Sequence, residues 1–150
     1  MKFCLLFVLF LLFVVLAIGV YLKYYYRYIV FKDMVYLCKS LKNNISFNKN
    51  TIEMLLKSAS KKISNFTKNL ICGNMSKKSI CLTGEDVLEI NGFIGSLGKG
   101  NVDYEINNIS YYENEFEDKK QSSKNDLDKD GKMYLKLIIG IGLAICIILI

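Results

Sequence analysis

Several short stretches of this sequence contain residue types that bind phosphate or support acid–base catalysis in other proteins. The nearest to a phosphate-binding loop is "GFIGSLGKG" at residues 92–100. The pattern GxxxxGK[ST] needs a glycine where Phe93 stands and a serine or threonine where Gly100 stands, so the backbone cradle for phosphate is incomplete. The chain contains no histidine, the commonest general base, and no recognisable serine or cysteine nucleophile motif. The sequence therefore predicts a protein that is not an enzyme and has no cofactor.

The five cysteines are the next group with possible chemistry. Cys72 and Cys81 are separated by eight residues, without a CxxC pair or a histidine, so a zinc site lacks its usual ligands. Cys38, Cys72 and Cys81 are expected in a reducing compartment, where disulfides are rare. We therefore expect no metal site and interpret these cysteines as small apolar residues or bystanders.

Two groups of carboxylates are interpreted as helix caps and solvent-facing residues rather than as an active site. Glu85 and Asp86 follow Thr83, whose hydroxyl is expected to cap a helix, and negative charge is favourable at the positive end of that helix. The second group lies further along the chain and consists of Glu113, Glu115, Glu117 and Asp118.

Two apolar segments, one at each end of the sequence, are expected to anchor the region between them. Between Lys2 and Lys23 lie 20 uncharged residues, enough for one bilayer crossing. A cleaved signal peptide, with a small-x-small site at Ala17–Gly19, is the competing interpretation. The closing segment from Met133 has 18 residues, about 27 Å of helix, and needs Lys136 to extend towards the lipid headgroups. Its glycines, Gly140 and Gly142, are places where another helix can approach closely.

The distribution of lysine and arginine predicts the orientation of these spans. Basic residues cluster just after the first span and just before the second, which keeps the intervening region in the cytoplasm and both termini outside. The expected membrane-anchoring residues are Lys23, Arg27, Lys132 and Lys136. The predicted organisation is a first transmembrane helix at 1–22, a cytoplasmic helical domain at 23–132 and a second transmembrane helix at 133–150.

Charge is divided unevenly along the chain. Residues 1–82 contain 13 Lys/Arg and 2 Asp/Glu, whereas residues 83–150 contain 7 Lys/Arg and 12 Asp/Glu. A basic first half beside a bilayer is expected to attract anionic lipid. Nucleic acid is not expected, because the lysines are scattered and no nucleic-acid motif accompanies them. The acidic half is expected to pair with the basic half of the same chain or with a basic partner protein.

The central region is predicted to be all-α, with four to five helices. Apolar residues at helical spacing define a first stripe, in a helix that is either separate from the first span or continuous with it: Tyr26, Val30, Met34, Leu37, Leu41 and Ile45. Asn50 is expected to cap a second helix that ends near Cys72–Gly73 and is either continuous or bent between Ser58 and Lys62. The apolar positions of that helix are Ile52, Leu55, Leu56, Ala59, Ile63, Phe66 and Leu70.

Two further helices are predicted after Thr83. The first has its apolar stripe at Val87, Ile90, Ile94 and Leu97, with Gly92 and Gly95 kept for close packing, and it ends at the helix turn formed by Gly98, Lys99 and Gly100. Asn101 is expected to cap the last helix, whose apolar positions are Val102, Ile106, Ile109 and Phe116. Residues 117–132 are interpreted as a solvated helix leading into the second span, with a weak point at Gly131; a disordered linker is the alternative.

This order of features resembles the stage III sporulation protein AB family of endospore-forming bacteria. The resemblance lies in "LKNNISFNKNTIEMLLKSAS", "FIGSLGKGNVDYEINNI", the long charged helix and the closing "KMYLKLIIGIGLAICIILI". The sequence departs from the family at Gly100-Asn101, where a small hydroxyl residue and an aspartate usually follow the turn, and at Glu105, near where a glutamine is usual.

The resemblance implies a helical cytoplasmic domain similar to the platform F proteins of type II secretion systems. It further implies a place in the mother-cell complex that joins the forespore across two membranes. The partners implied are a secretion-type ATPase, stage III sporulation protein AA, and other membrane proteins of the channel. The acidic second half of the chain, especially Glu113 to Asp130 with the four carboxylates of the acidic cluster defined above, is the predicted docking face for that ATPase. A small self-associating membrane protein, such as a holin or scaffold, is the alternative, and a secreted domain behind a cleaved signal is a third possibility.

Overall fold

Every regular element in the described part of the chain is helical. The structure is a computed structural model that describes residues 2–47, 58, 60–71 and 81–149. Its elements are α1 (Lys2–Phe47), a 3-10 turn (Ser60–Lys62), α2 (Asn65–Ile71), α3 (Gly84–Ser96), α4 (Val102–Asp126), a π-helical turn (Leu127–Gly131) and α5 (Lys132–Ile148). The predicted all-α fold class is confirmed.

Two long helical arms run antiparallel to each other and form a hairpin. One arm is α1, whose 46 residues extend for about 69 Å; the other consists of α4, the π turn and α5. The arms keep one register along their length. The Cys146 thiol donates to the Leu6 carbonyl at 3.8 Å near the two chain ends, and Lys42 lies 3.5 Å from Glu113 near the other end of the hairpin.

The predicted domain limits at residues 22 and 132 are not breaks in these arms. The apolar half of α1 continues without interruption into the stripe that begins near Tyr26, as the sequence allowed. Residues 117–132 are helical, as predicted, and the irregularity falls at Leu127–Gly131, where one turn is π-helical. Gly131 is buried there, and a Cβ atom added to it would lie 3.4 Å from the Tyr24 Cβ. The helical irregularity predicted at Gly131 therefore lies where this arm packs closely against α1.

The hydrophobic core lies in the half of the hairpin remote from the chain ends. Four of the six predicted positions on α1, namely Val30, Met34, Leu37 and Leu41, are fully buried. Tyr26 is 40% exposed, because it lies at the edge of the core, with its ring 5.2 Å from that of Phe66 on α2. The other arm and α3 contribute Ile90, Phe93, Ile109 and Phe116 to the same core.

α2 begins only at Asn65, because the helix is interrupted just before it. A 3-10 turn at Ser60–Lys62 and two non-helical residues come before α2. The predicted second helix is therefore bent here and not continuous. Asp33 on α1 fixes the start of α2: its carboxylate accepts from the Ser64 amide at 3.0 Å and from the Thr67 hydroxyl at 2.7 Å. The predicted cap at Asn50, like Cys72 and Gly73, lies outside the described residues.

α3 begins as predicted but presents a different face to the core. Thr83 and Asp86 form a reciprocal capping box. The buried residues are Asp86, Ile90 and Phe93, whereas Val87, Ile94 and Leu97 are half-buried. The predicted stripe is therefore displaced, because Phe93 packs against Tyr112 and Phe116 at ring distances of 5.2 and 5.5 Å. Asp86 takes part in the cap as expected, but its side chain is buried and does not face solvent, while Glu85 is exposed.

The turn between α3 and α4 explains why two glycines stand there. Gly98 has φ of 81°, a backbone conformation that favours glycine, and a Cβ on Gly100 would lie 2.2 Å from the Tyr104 ring. The buried Glu105 closes the turn, since its Oε1 accepts from the amides of Lys99 and Gly100 at 2.9 and 3.0 Å. Asn101 caps α4 as predicted by accepting from the Tyr104 amide at 2.9 Å.

Among the described residues, the smaller packing predictions are met at Gly92 and Gly142, whereas Val102 is not buried and Gly95 and Gly140 contact no other helix. Val102 is 57% exposed, because it occupies the first turn of α4 beyond the end of the core. A Cβ on Gly92 would meet the Tyr112 hydroxyl at 3.2 Å, as expected of a packing glycine, but Gly95 has nothing within 4 Å. The same contrast occurs in α5, where a Cβ on Gly142 would lie 2.9 Å from the Phe13 Cβ while Gly140 faces open space.

Candidate functional site

Five charged residues from three helices come together where the hairpin leaves the predicted membrane region. The Arg27 guanidinium on α1 donates to both carboxylate oxygens of Asp86 on α3, at 2.9 and 3.3 Å. Its third nitrogen donates to Asp126 at the end of α4, at 3.0 Å. Lys119 on α4 donates to Asp86 at 3.2 Å and also pairs with Glu89. These five residues, which we call the charge network, link α1, α3 and α4.

Local structure explains why Asp86 stands at the centre of the charge network. The capping box fixes its side chain at the N-terminus of α3, where one oxygen also accepts from the Thr83 amide at 3.0 Å. Both cations lie near the same aromatic ring, with the Arg27 and Lys119 head groups 5.9 Å from the centre of Phe31. The side chain of Asp86 is 1% exposed. A carboxylate buried to this degree needs such partners to remain ionised.

Hydrogen bonds within the charge network favour the charged forms of Asp86 and Lys119. Burial acts to raise the pKa of Asp86, but the hydrogen bonds from Arg27 and Thr83 outweigh it, and the pKa lies below its ordinary value. Burial likewise opposes the charge of Lys119, yet hydrogen bonds to Glu89 and Asp86 raise its pKa. The ion pairs of the charge network therefore hold α1, α3 and α4 together.

Aromatic rings and lysines surround the hairpin next to the charge network. Tyr24 on α1 stacks with Tyr134 on α5 at a ring distance of 6.5 Å, and Tyr21 stacks with Tyr25 at 6.4 Å. Tyrosine is enriched at the level of lipid headgroups, because its ring is apolar and its hydroxyl polar. The ring pairs therefore lie where the sequence predicted the end of both spans.

The four predicted membrane-anchoring residues occupy different surroundings. Lys23 and Lys136 are exposed beside the tyrosines. Lys132 is exposed as well, but its ammonium lies 2.6 Å from Asp128. Arg27 turns inward into the charge network. This role could not be predicted from local patterns, because Arg27 and Asp86 are 59 residues apart.

The structure separates the carboxylates predicted to bind a partner. Glu113 and Glu117 face α1, where they lie 3.5 Å from Lys42 and 3.9 Å from Lys39. Glu117 also pairs with Lys120, whose hydrogen bond lowers the pKa of that carboxyl. Asp118 is exposed and Glu115 half-exposed on the outer side of α4, without an ion pair to any other described residue. Basic and acidic halves of the chain thus pair with each other, one of the two outcomes expected from the charge distribution.

The cysteines in the described residues are free thiols at Cys38, Cys81 and Cys146. Cys38 is buried in the core, and burial raises the pKa of its thiol to about 12. A thiol with such a pKa is protonated at neutral pH and reacts slowly. Cys72 lies outside the described residues.

The apolar halves of both arms define the class of this protein. Two helices, Leu6–Ile45 and Val102–Ile148, contain apolar stretches long enough to cross a membrane, and only 6% and 11% of those stretches are buried. The core helix of a soluble protein would be mostly buried instead. The class is a helical domain attached to a hairpin whose exposed apolar half is compatible with a membrane.

Comparison with known proteins identifies the family. The family model described as stage III sporulation protein AB matches residues 71–150, more than half of the chain. The chain therefore belongs to the stage III sporulation protein AB family and is a sporulation-related protein, as the resemblance indicated. The match covers α3, α4 and α5, including the Gly98–Gly100 turn and four of the five residues of the charge network, all except Arg27. No curated protein and no solved structure matches the chain.

Proposed function

We propose that this protein is a non-enzymatic membrane platform of a sporulation channel complex that links mother cell and forespore. In this role it anchors a folded helical domain at the cytoplasmic surface of the mother-cell membrane. Membership of the stage III sporulation protein AB family supports the link to sporulation. The exposed apolar half of the hairpin supports a location in the membrane.

The observation that carries the proposal is the continuity of α1 between the two regions. Its first half is apolar and exposed, with Phe7, Leu12 and Val15 exposed at 64%, 57% and 65%, whereas Val30 to Leu41 forms the core of the domain. No loop separates them, so the domain cannot turn freely relative to the membrane. A rigid connection of this kind is what a platform needs in order to resist the force of a motor.

The distribution of lysines supports a cytoplasmic domain. Lys23 lies just beyond the first predicted span and Lys136 lies in the first turn of the second, both at the domain end, and the positive-inside rule assigns that side to the cytoplasm. The same lysines are positioned to contact anionic lipid headgroups, at about 1 kcal/mol for each charge close to the surface.

A cytoplasmic ATPase is proposed to dock at the end of the hairpin farthest from the membrane. That end contains Val102, Asp103 and Tyr104, and 25 residues of α4, about 38 Å, separate it from the π turn. Val102 and Tyr104 are 57% and 52% exposed beside the Asp103 carboxylate. Exposed aromatic residues dominate the binding energy of many protein interfaces. The carboxylates predicted from the sequence fit less well, because two of the four already pair with lysines of α1.

Co-purification of the full-length protein with the secretion-type ATPase tests this proposal. The variant Asp103→Lys with Tyr104→Ala is expected to lower the recovered ATPase about tenfold, as loss of an interface hot spot does. The control Leu88→Ala changes a residue that is 74% exposed on α3 and should leave recovery unchanged. If wild type recovers no ATPase, the partner is wrong. If Glu115→Lys with Asp118→Lys lowers recovery instead, docking occurs at the carboxylates predicted from the sequence.

A further inference from the structure

We propose that this protein associates side by side with further copies of itself, with the outer face of α4 of one copy against the outer face of α1 of the next. The occupant of each face is thus a second copy of this chain. This inference goes beyond the proposed function and does not depend on the ATPase. It requires only that all copies cross the same membrane in the same direction.

The outer face of α4 is acidic and contains no cation. The residues of this face recur at helical spacing on the side of α4 turned away from α1. They are Asn107, Tyr111, Asn114, Glu115 and Asp118. Tyr111 is 60% exposed. Neither Glu115 nor Asp118 forms an ion pair within the described part of the chain, in contrast to Glu113 and Glu117.

The outer face of α1 has the opposite charge. Lys32, Tyr36, Lys39 and Asn43 are exposed at spacings of three and four residues, while the residues between them are buried or half-buried. Tyr36 is 38% exposed, and the side chain of Lys39 is 57% exposed. The only carboxylate near Lys39 among the described residues is Glu117, at 3.9 Å, which leaves most of the ammonium open to a further partner.

The two faces lie at the same distance from the membrane. Lys39 is level with Glu117, since the two are in contact across the hairpin. Glu115 and Asp118 lie within two residues of Glu117, a displacement of at most about 3 Å along the helix. When two copies stand beside each other in one bilayer, Lys39 of one therefore meets Glu115 and Asp118 of the other without a vertical shift.

The membrane restricts how copies can be arranged. Copies with the same orientation are related by rotation about an axis normal to the membrane, so a two-fold pair would bring identical faces together. Such a pair sets lysine against lysine or carboxylate against carboxylate, which is unfavourable. Only the head-to-tail arrangement pairs opposite charges, and repeated head-to-tail contacts produce a ring or an open array. Confinement to one membrane raises the effective concentration, so an interface of modest area is sufficient.

Charge exchange in the full-length protein, reconstituted in vesicles, tests the inference. Lys32→Glu with Lys39→Glu, and separately Glu115→Lys with Asp118→Lys, should each lower energy transfer between labelled copies, with association weakened about tenfold as attraction becomes repulsion. Mixing the two variants should restore transfer, because each reversed face then meets its complement. The four substitutions combined in one chain should restore it as well.

Two outcomes would overturn the inference. One is transfer that is unchanged in either reversed variant; the other is failure of both the mixture and the fourfold variant to recover, while their circular dichroism melts match that of wild type. A photo-crosslinker at Tyr36 gives an independent measurement and should attach to α4 of a neighbour, whereas one at Leu88 on α3 should not. The Asp103→Lys with Tyr104→Ala variant should still associate, which separates this inference from the docking of the ATPase.

Discussion

Arg27 and Asp86 form a two-pronged ion pair that joins the long membrane-connected helix to the start of α3, across 59 residues of chain. A fork of this geometry is specific as well as strong, because the planar guanidinium matches the carboxylate. Arg27 lies five residues past the predicted end of the first span, about 7.5 Å along the helix. The pair therefore holds α3 against α1 next to the end of the predicted first span.

Replacing Asp86 is expected to destabilise the protein strongly. Asp86→Asn removes the charge that balances Arg27 and Lys119, and breaking such a buried pair should lower the free energy of unfolding by about 2–4 kcal/mol. Glu85→Gln, one residue earlier and exposed, should change it by less than about 0.5 kcal/mol. Urea titrations of the full chain in detergent, followed by circular dichroism, provide the measurement. Equal losses from both substitutions would contradict a structural role for the charge network.

Acid should remove the contribution of Asp86. Because the pKa of Asp86 is lowered in the folded protein, its stabilising effect is complete above the ordinary aspartate pKa of about 3.9. The effect is lost as the pH falls through the folded-state pKa. The difference in melting temperature between wild type and Asp86→Asn should therefore be constant from pH 7 to pH 5 and shrink below about pH 4. A difference that stays constant into strong acid would show that the charge of Asp86 is not what stabilises the fold.

The turn between α3 and α4 gives a prediction about the departure from the family at Glu105. Glu105→Gln keeps an oxygen that can accept from the amides of Lys99 and Gly100, whereas Glu105→Ala leaves both amides without their partner. We expect a loss of about 1–3 kcal/mol for alanine and a smaller loss for glutamine. Thermal melts of the two variants compare these values. A glutamine variant as unstable as the alanine variant would mean that the charge, not the hydrogen bonds, closes the turn.

The glycines of α5 form a matched pair for testing how the spans pack. Gly142→Ala introduces a Cβ only 2.9 Å from the Phe13 Cβ, so the arms must separate, at a cost of about 1–3 kcal/mol. Gly140→Ala introduces a Cβ into open space and should be neutral or slightly stabilising. Thermal unfolding in detergent measures both. If Gly140→Ala proved the more harmful, Gly140 would face another helix that the single chain does not contain.

Local patterns were sufficient to predict much of this fold. Thr83 and Asn101 were recognisable as caps, because their hydrogen bonds involve only residues three positions away. The buried positions Met34, Leu37 and Leu41 follow from helical spacing alone. Gly98 at the turn follows from the backbone conformation that glycine favours. Each of these features depends on neighbours within about one helical turn.

Contacts between distant segments decided what the sequence did not show. Phe93 belongs to the core because Tyr112 and Phe116 lie opposite, and Asp86 is buried because Arg27 and Lys119 neutralise it. The docking carboxylates were predicted as one group, yet the direction of each around α4 places Glu113 and Glu117 against α1 and Asp118 outward. Spacing along one helix cannot give that direction until the position of the second arm is known.

We propose that both apolar arms of the hairpin cross the membrane and leave the helical domain in the cytoplasm. Leu88→Cys, in a chain whose five native cysteines are replaced by alanine, places a single thiol at a position that is 74% exposed. The most direct measurement treats intact spheroplasts with a membrane-impermeant maleimide. A cytoplasmic domain should show no labelling at position 88 until the membrane is permeabilised. Labelling of that position in intact spheroplasts would contradict it.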